Sequence, residues 1–254
     1  MSELVVETAG KIVTVTINRP PVNALTLALY SEIADIFDAI GARTDVHCAI
    51  FTGAGTRAFC AGLDLKEFLA AKPEEDPERA KIVRRTFSAV RHCAIPVIAA
   101  INGPALGAGC VLASVCDIRI AAATATFGLP EINVGRCGGG AHVGRYIPQG
   151  ILRKMFFTGV PISAEEAYRV NFADVVVPAD RLMDSARELA GTIAQKAPLG
   201  LRLGKKALNE IEFLPVEDGY AREQTYSTQL MHTEDAREAT RAVLEKRPPV
   251  FKGR

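Results

Sequence analysis

The chain has 254 residues, a net charge of +1, and 48% hydrophobic against 23% charged residues, which is the composition of an ordinary soluble globular protein with a substantial core. Lysines and arginines are scattered rather than grouped, so the sequence carries no electrostatic footprint for nucleic acid or for an anionic membrane. No stretch approaches the roughly 18 apolar residues of a membrane-spanning helix.

The amino end and the cysteines both bear on the compartment. The amino end alternates apolar and polar residues, where a signal peptide would have a basic start and an apolar run. Six cysteines form no CxxC pair and lie mostly in apolar runs: Cys48, Cys60, Cys93, Cys110, Cys116 and Cys137. They are interpreted as small buried thiols in a reducing compartment, which predicts a cytoplasmic protein, and their spacing predicts no metal site.

The first half of the chain alternates strand and helix patterns. In chain order the predicted elements are a hairpin of strands 3–8 and 11–18, a helix from Thr26 to about residue 42, a strand at 47–53, a short helix from Asp64, a mobile loop at 70–79, a helix from Pro77 to Arg91, a strand at 96–103, a helix at Ala105–Val115 and a strand at 116–122.

Helices dominate from residue 139 onward. Ser163 and Glu166 form a capping box, and ADVVV is a last strand that Pro178 follows. Residues 180–246 are almost wholly helical, with interruptions near Pro198 and Pro215. Strand–helix alternation followed by a helical carboxyl end implies a layered α/β fold.

Two predicted strands end in similar glycine turns, CAGLDL (60–65) and NGPALGAG (102–109). Where a strand gives way to a helix, such a turn leaves backbone N–H groups unpaired, and two that converge can hold a developing oxyanion. The alternative is that the glycines only make tight turns. Neither loop is a phosphate loop, since GxxxxGK[ST] is absent and Gly107 and Gly109 lack the third glycine of a dinucleotide fingerprint.

The stretch FGLPEINVG (127–135) places one carboxylate, Glu131, among apolar side chains. Buried glutamates are rare unless they are paired or functional. An apolar setting raises the pKa of a carboxyl toward the range useful for proton transfer near neutrality. The alternative is a structural glutamate paired with Arg136 or Arg145.

Five stretches together resemble the crotonase family, the enoyl-CoA hydratases and isomerases. They are NRPPVNAL (18–25), FCAGLDLKEF (59–68), PVIAAINGPALGAGC (96–110), CDIRIAAATATFGLPEINVG (116–135) and EKRPPVFKGR (245–254), in order over nearly the whole chain. The resemblance implies an α/β fold with a ββα spiral core over residues 1–195. It also implies a helical oligomerisation region over 196–254 and a homo-oligomer that is a trimer or a dimer of trimers. The implied substrate is an acyl-CoA thioester. Coenzyme A is part of this substrate, so no separate cofactor is expected.

The resemblance also implies roles for particular residues. The oxyanion hole falls on the backbone N–H groups of Leu63 and Ala108, and Glu131 matches one of two catalytic glutamates. Substrate-binding positions fall on Ala61, Asp64, Lys66, Gly107 and Pro130. Of these, Asp64 is interpreted first as a helix cap, and Lys66 either approaches the coenzyme A phosphates or is solvated.

The chain departs from the family pattern at the second catalytic glutamate, which is Val111 here. Hydration requires two carboxylates, which position the attacking water and transfer its protons, whereas a double-bond shift requires only one. Isomerisation, or another one-base enolate reaction, is therefore favoured. A hydratase with a substitute acid or base, for which His142 is the candidate, and a non-catalytic acyl-CoA binder remain alternatives. No activating base is evident for Cys137 as a nucleophile, and the acyl group cannot be read from the sequence.

Overall fold

The computed structural model describes residues 2–254. Nine strands lie in this part of the chain: β1 (Leu4–Ala9), β2 (Ile12–Ile17), β3 (Cys48–Gly53), β4 (Val97–Ile101), β5 (Ala105–Leu106), β6 (Ile118–Ala122), β7 (Thr126–Gly128), β8 (Ile162–Ser163) and β9 (Val175–Val177). The eleven α-helices are α1 (Leu27–Ala42), α2 (Leu65–Ala70), α3 (Asp76–Arg91), α4 (Ala108–Val115), α5 (Gly140–Val143), α6 (Gln149–Thr158), α7 (Ala164–Arg169), α8 (Leu182–Ala194), α9 (Pro198–Ile211), α10 (Val216–Met231) and α11 (Glu234–Leu244).

Six strands form one sheet in the order β1-β2-β3-β4-β6-β9. β1 and β2 are the predicted antiparallel hairpin, with Gly10 in the left-handed region at φ +57°, and every other neighbouring pair is parallel. Parallel strands need crossover connections, and helices supply most of them here. A second, three-stranded sheet has the order β5-β7-β8.

The main sheet is covered on both faces, which explains why β3 and β4 are buried along their whole length. On β3, Ala49 and Phe51 face the larger core with α1, α3 and α4, while Cys48 and Ile50 face α8. Small residues on α8, such as Ala186 and Ala190, let that helix pack closely on the sheet.

Three helix caps lie at the residues predicted from the sequence. Thr26 accepts a hydrogen bond from the Leu29 N–H and begins α1, and Ser163 accepts one from Glu166 and begins α7. Asp64 accepts from the N–H groups of Lys66 and Glu67 and begins α2.

Two boundaries differ from the sequence prediction. Most of the loop predicted at 70–79 is helical, because Pro73 begins a 3₁₀ turn (Pro73–Glu75) and α3 already begins at Asp76. The helix predicted at Ala105–Val115 begins only at Ala108, because Ala105 and Leu106 pair as a strand with β7.

The carboxyl-terminal helices α9, α10 and α11 follow the core. Lys205 on α9 is buried and binds both the Ile95 carbonyl, at 3.0 Å, and the Asp117 carboxylate, at 2.7 Å. Buried Asp235 on α11 accepts from the N–H groups of Lys252 and Gly253, which holds the chain end on this helix. These contacts fix the helical end, while many of its apolar side chains stay exposed: Phe213, Val216, Tyr220, Met231, Val243 and Leu244.

Candidate active site

The two predicted glycine turns touch each other in the fold. Gly62 and Gly107 both lie in the left-handed region, at φ +92° and +54°, and each directly precedes one of the predicted N–H donors, Leu63 and Ala108. A β-carbon built on Gly62 would lie 3.4 Å from the Ala108 nitrogen. Both turns therefore depend on glycine, and they bring the two donors to one place.

Neither predicted N–H donor makes a hydrogen bond within the fold. Within residues 2–254, the N–H groups of Leu63 and Ala108 reach no protein acceptor. Both residues line one apolar cleft. Two main-chain donors are thus left at the wall of the same cavity, which is the arrangement that can stabilise a negatively charged oxygen.

The neighbouring main-chain groups are hydrogen-bonded and hold the turns in position. Leu25 donates to the Gly62 carbonyl at 2.7 Å and accepts from Asp64 at 2.9 Å, so the first turn is fixed on both sides of Leu63. In the second turn, the Leu106 N–H donates to Cys60 at 2.9 Å and the Gly107 N–H donates to Gly128 at 2.9 Å. The donors are therefore held in position before any ligand binds.

Glu131 lies in a 3₁₀ turn, Pro130–Val134, and its carboxylate reaches the second glycine turn. A β-carbon built on Gly107 would lie 2.9 Å from Glu131 Oε1, and Glu131 Oε2 is buried without a hydrogen-bond partner among the described residues. Burial raises the pKa of Glu131 above its ordinary value of 4.5, although its own backbone N–H opposes the shift.

The alternative ion pairs predicted for this carboxylate are absent from residues 2–254. Arg136 binds Asp76 at 2.9 Å and lies over the Phe68 ring. Arg145 binds Glu212 at 2.5 Å. Both guanidinium groups are engaged elsewhere, so neither of these two pairings of Glu131 forms.

The apolar cleft has a volume of about 260 Å³. Its walls are mostly hydrophobic and come from α1, α2, α3, α4 and the 134–139 loop: Leu27, Tyr30, Leu63, Phe68, Ala80, Val83, Phe87, Ala108, Val111 and Val134. Charged residues also line it: Asp76, Arg79, Arg84, Glu131 and Arg136. Residues 66–90 contribute several of these side chains, whereas within the described chain no residue after Gly139 lines the cleft.

A wider groove of about 780 Å³ adjoins the cleft, and Leu63 lines both. Of the predicted substrate-binding residues, Ala61, Asp64 and Lys66 line this groove. Asp64 caps α2 and binds Arg19 at 2.7 Å. The hydrogen bond from the Glu67 N–H, and then the contact with Arg19, hold the pKa of Asp64 below its ordinary value. Arg19 also lines the groove, and nothing in the sequence pattern singled it out.

Three further predicted residues line neither cavity. Pro130 begins the turn that carries Glu131, and Gly107 presents its Cα to that carboxylate. His142 lies on α5, where its ring meets Phe87 edge-on at 5.6 Å between centroids. Burial, and then the charges of Arg145 and Arg91, lower the pKa of His142. The geometry gives no support to His142 as the second acid or base.

Val111 occupies the position that would need the second carboxylate. It is 2% exposed, lines the cleft with Glu131, and its Cγ2 would lie 2.8 Å from a β-carbon on Gly139. The other acid that lines the cleft, Asp76, is already paired with Arg136. Glu131 is therefore the one unpaired carboxylate among the described residues that line the cleft.

Sequence reasoning missed Tyr30. It lies in an apolar, helix-spaced run of α1, where a tyrosine is read as a core residue. Only the fold reveals that this side chain reaches the same cleft as Glu131.

Residues 2–254 contain no group of three or more metal-binding side chains, and none of their helices has the length and apolar character needed to cross a bilayer.

Comparison with known proteins gives a consistent result. The sequence profile of the enoyl-CoA hydratase/isomerase family matches residues 7–254. The short-chain-enoyl-CoA hydratase of Clostridium acetobutylicum is 35% identical over 97% of this chain and 96% of its own. The 2,3-dehydroadipyl-CoA hydratase of Escherichia coli is 36% identical over the full length of both. The crystal structure of an enoyl-CoA hydratase from Bacillus anthracis superposes with a TM-score of 0.96, at 35% identity and full coverage of both chains.

Proposed function

Because this chain belongs to the enoyl-CoA hydratase/isomerase family, we propose that it transforms an acyl-CoA thioester through an enolate held at Leu63 and Ala108, with Glu131 as the acid and base. One observation carries the proposal. Two main-chain donors without acceptors and one unpaired, buried carboxylate line the same apolar cleft.

The two N–H groups are assigned to the thioester carbonyl oxygen. As a proton leaves C2, negative charge moves onto this oxygen, and donors that are already in position stabilise it without rearrangement. Removal of one such donor typically costs about 10²–10³ in rate. Since the donors are main-chain groups, the methyl group of Ala108 leaves the hole intact.

Glu131 is assigned to proton transfer. Its raised pKa brings it nearer the working pH, where a general base is most effective. The carboxylate takes a proton from C2 of a 3-enoyl thioester and, now protonated, returns it at C4, which moves the double bond to C2–C3. One carboxylate suffices for this shift, which is why Val111 favours isomerisation over hydration.

The groove and the cleft divide the substrate between them. Leu63 lines both cavities, so a thioester at Leu63 places the acyl chain in the 260 Å³ cleft and coenzyme A in the 780 Å³ groove. Lys66 gives that groove a cation for the phosphates, whereas Arg19 is already paired with Glu3 and Asp64. Coenzyme A thus enters as part of the substrate, and the chemistry needs no separate cofactor.

Two other functions use the same site. The named relatives are hydratases, which favours hydration with a substitute for the second glutamate. A non-catalytic acyl-CoA binder is the third candidate, but a binder has no need of a buried carboxylate without a partner, because burying one costs stability.

The helical region 196–254 is proposed to assemble the chain into a trimer or a dimer of trimers. Its exposed apolar side chains, which include Phe213 at 74% and Leu244 at 80%, support burial between subunits.

A product assay tests the proposed reaction. The protein is mixed with 3-enoyl and 2-enoyl thioesters of several chain lengths, and products are separated by chromatography. We expect 3-enoyl substrates to become 2-enoyl products. If neither class of thioester is turned over at any chain length, both the isomerase and the hydratase function are ruled out. The non-catalytic acyl-CoA binder is then the remaining candidate.

A further inference from the structure

Tyr30 is a buried tyrosine whose hydroxyl has no protein partner among the described residues. Its side chain is 2% exposed, and its ring packs edge-on against Phe87 at 6.2 Å between centroids. The other buried tyrosine, Tyr226, has its hydroxyl engaged by Arg222 at 3.3 Å. A tyrosine this buried normally pairs its hydroxyl with a protein group, whereas that of Tyr30 is not fully enclosed and keeps free hydrogen-bonding capacity, which calls for an explanation.

The cleft supplies that explanation. Tyr30 lines it together with Glu131 and Val111. Glu131 Oε2 is fully buried without a partner, whereas the Tyr30 hydroxyl is not fully enclosed, so a free donor and an unpaired acceptor border a single apolar cavity. Packing against Phe87 would be served equally well by phenylalanine at position 30, since the hydroxyl contributes nothing to that contact.

The charge state of the pair is complementary. Burial raises the pKa of the Tyr30 phenol, and the negative charge of Glu131 raises it further. The phenol therefore keeps its proton and acts as a hydrogen-bond donor, whereas ionised Glu131 acts as an acceptor.

We infer that Tyr30 is a second catalytic residue, which takes the place of the carboxylate missing at Val111: its hydroxyl donates to a water molecule that in turn donates to Glu131. This pair adds the water to C3 of a 2-enoyl thioester, giving the chain a hydratase activity beside the isomerase activity. The inference rests on the proposed function, because it uses the same thioester and the same oxyanion site.

The step balances with one carboxylate. The water oxygen forms a bond to C3 and loses one proton to Glu131, while the double-bond electrons move toward the thioester oxygen at Leu63 and Ala108. Protonated Glu131 then delivers that proton to C2, so that one water has been added. Tyr30 holds the water throughout and keeps its own proton.

The test variant is Tyr30→Phe, with Tyr226→Phe as the matched control. Hydration of the 2-butenoyl thioester and isomerisation of the 3-hexenoyl thioester are measured on each preparation. We expect the ratio of hydration to isomerisation to fall about tenfold or more in Tyr30→Phe, because the variant loses one positioned hydrogen-bond donor. The ratio should not change in Tyr226→Phe.

The ratio separates chemistry from folding, because a smaller folded fraction lowers both rates equally. Absence of hydration in the wild type, or an equal loss of both activities in Tyr30→Phe, overturns the inference. If the wild type does not isomerise, the proposed function fails independently of Tyr30. The role of Tyr30 is then tested by the hydration rate divided by the concentration of folded sites, which is measured by binding of the saturated butanoyl thioester. An unchanged rate per site would equally overturn the role of Tyr30.

Discussion

Gly107 and Glu131 are in direct contact: a β-carbon built on Gly107 would lie 2.9 Å from Glu131 Oε1. Gly107 also has φ +54° and ψ −121°, a backbone conformation that residues with a side chain rarely adopt. The glycine thus serves both the turn before Ala108 and the position of the carboxylate.

Gly107→Ala should therefore lower activity and, because an alanine is strained at this φ, stability as well. The new methyl group displaces the flexible end of Glu131, and a displacement of about 1 Å can cost on the order of 10²-fold in rate. Gly191→Ala is the control, because its β-carbon would meet nothing within 4 Å on α8. We expect kcat/KM to fall in Gly107→Ala alone. Equal activities in the two variants would contradict the contact's role.

Replacing the carboxylate tests the acid–base role of Glu131. Glu131→Gln should lower turnover by about 10²–10⁴, while binding of a saturated acyl-CoA measured by calorimetry stays within a few-fold, as the amide keeps the shape. A binder would have no turnover to lose. Retained activity in this variant would remove Glu131 from the mechanism.

The raised pKa of Glu131 predicts a pH dependence with a definite sign. The base must be ionised, so kcat/KM should fall as the pH decreases. The midpoint of this acidic limb should lie above 4.5, the ordinary pKa of a glutamate. Between the unfolded and folded pKa values, the native state binds more protons, so the stability contributed by this group is present at low pH and is lost as pH rises. Both the limb and that part of the melting profile should be missing in Glu131→Gln.

The position of Val111 yields a gain-of-function prediction. Val111→Glu places a second carboxylate in the cleft and should raise hydration of a short 2-enoyl thioester. The new side chain must pass Gly139, and a second buried carboxylate raises the proton affinity of the pair, so stability should fall and the gain should depend on pH. Assays across pH, with melting measured alongside, test this. A folded variant with no gain would contradict the one-carboxylate account.

Assembly is predicted from the helical end. Val243 and Leu244 on α11 are 77% and 80% exposed in the single chain. Analytical ultracentrifugation at micromolar concentration should give a trimer or hexamer, and Leu244→Asp should shift it toward smaller species. Tyr168→Asp, at a side chain 58% exposed on α7, serves as the control. A wild-type monomer would refute the prediction.

Local chemistry explains what could be predicted from the sequence. Thr26, Asp64 and Ser163 cap their helices because a short polar side chain bonds the free N–H groups of the next turn, and this needs no distant partner. The apolar neighbours of Glu131 correctly indicated a carboxylate with a raised pKa.

Features that depend on distant partners could not be predicted. Leu106 becomes part of a strand because its N–H donates to Cys60 and it pairs with β7, neither of which is visible in a local pattern. The same holds for Tyr30, whose spacing on α1 is that of a core residue. The fold, and not the local pattern, brings this residue to the cleft of Glu131.

The two donors at Leu63 and Ala108 belong to the main chain, and this has a consequence for how such a protein can diverge. A point mutation can exchange any side chain in the cleft, but it cannot remove a peptide N–H unless it introduces proline or breaks a glycine turn. In the proposed mechanism, enolate formation therefore depends on the scaffold itself. The fate of the enolate rests on a few exchangeable side chains at positions 30, 111 and 131, so a new reaction can arise by single substitutions without rebuilding the fold.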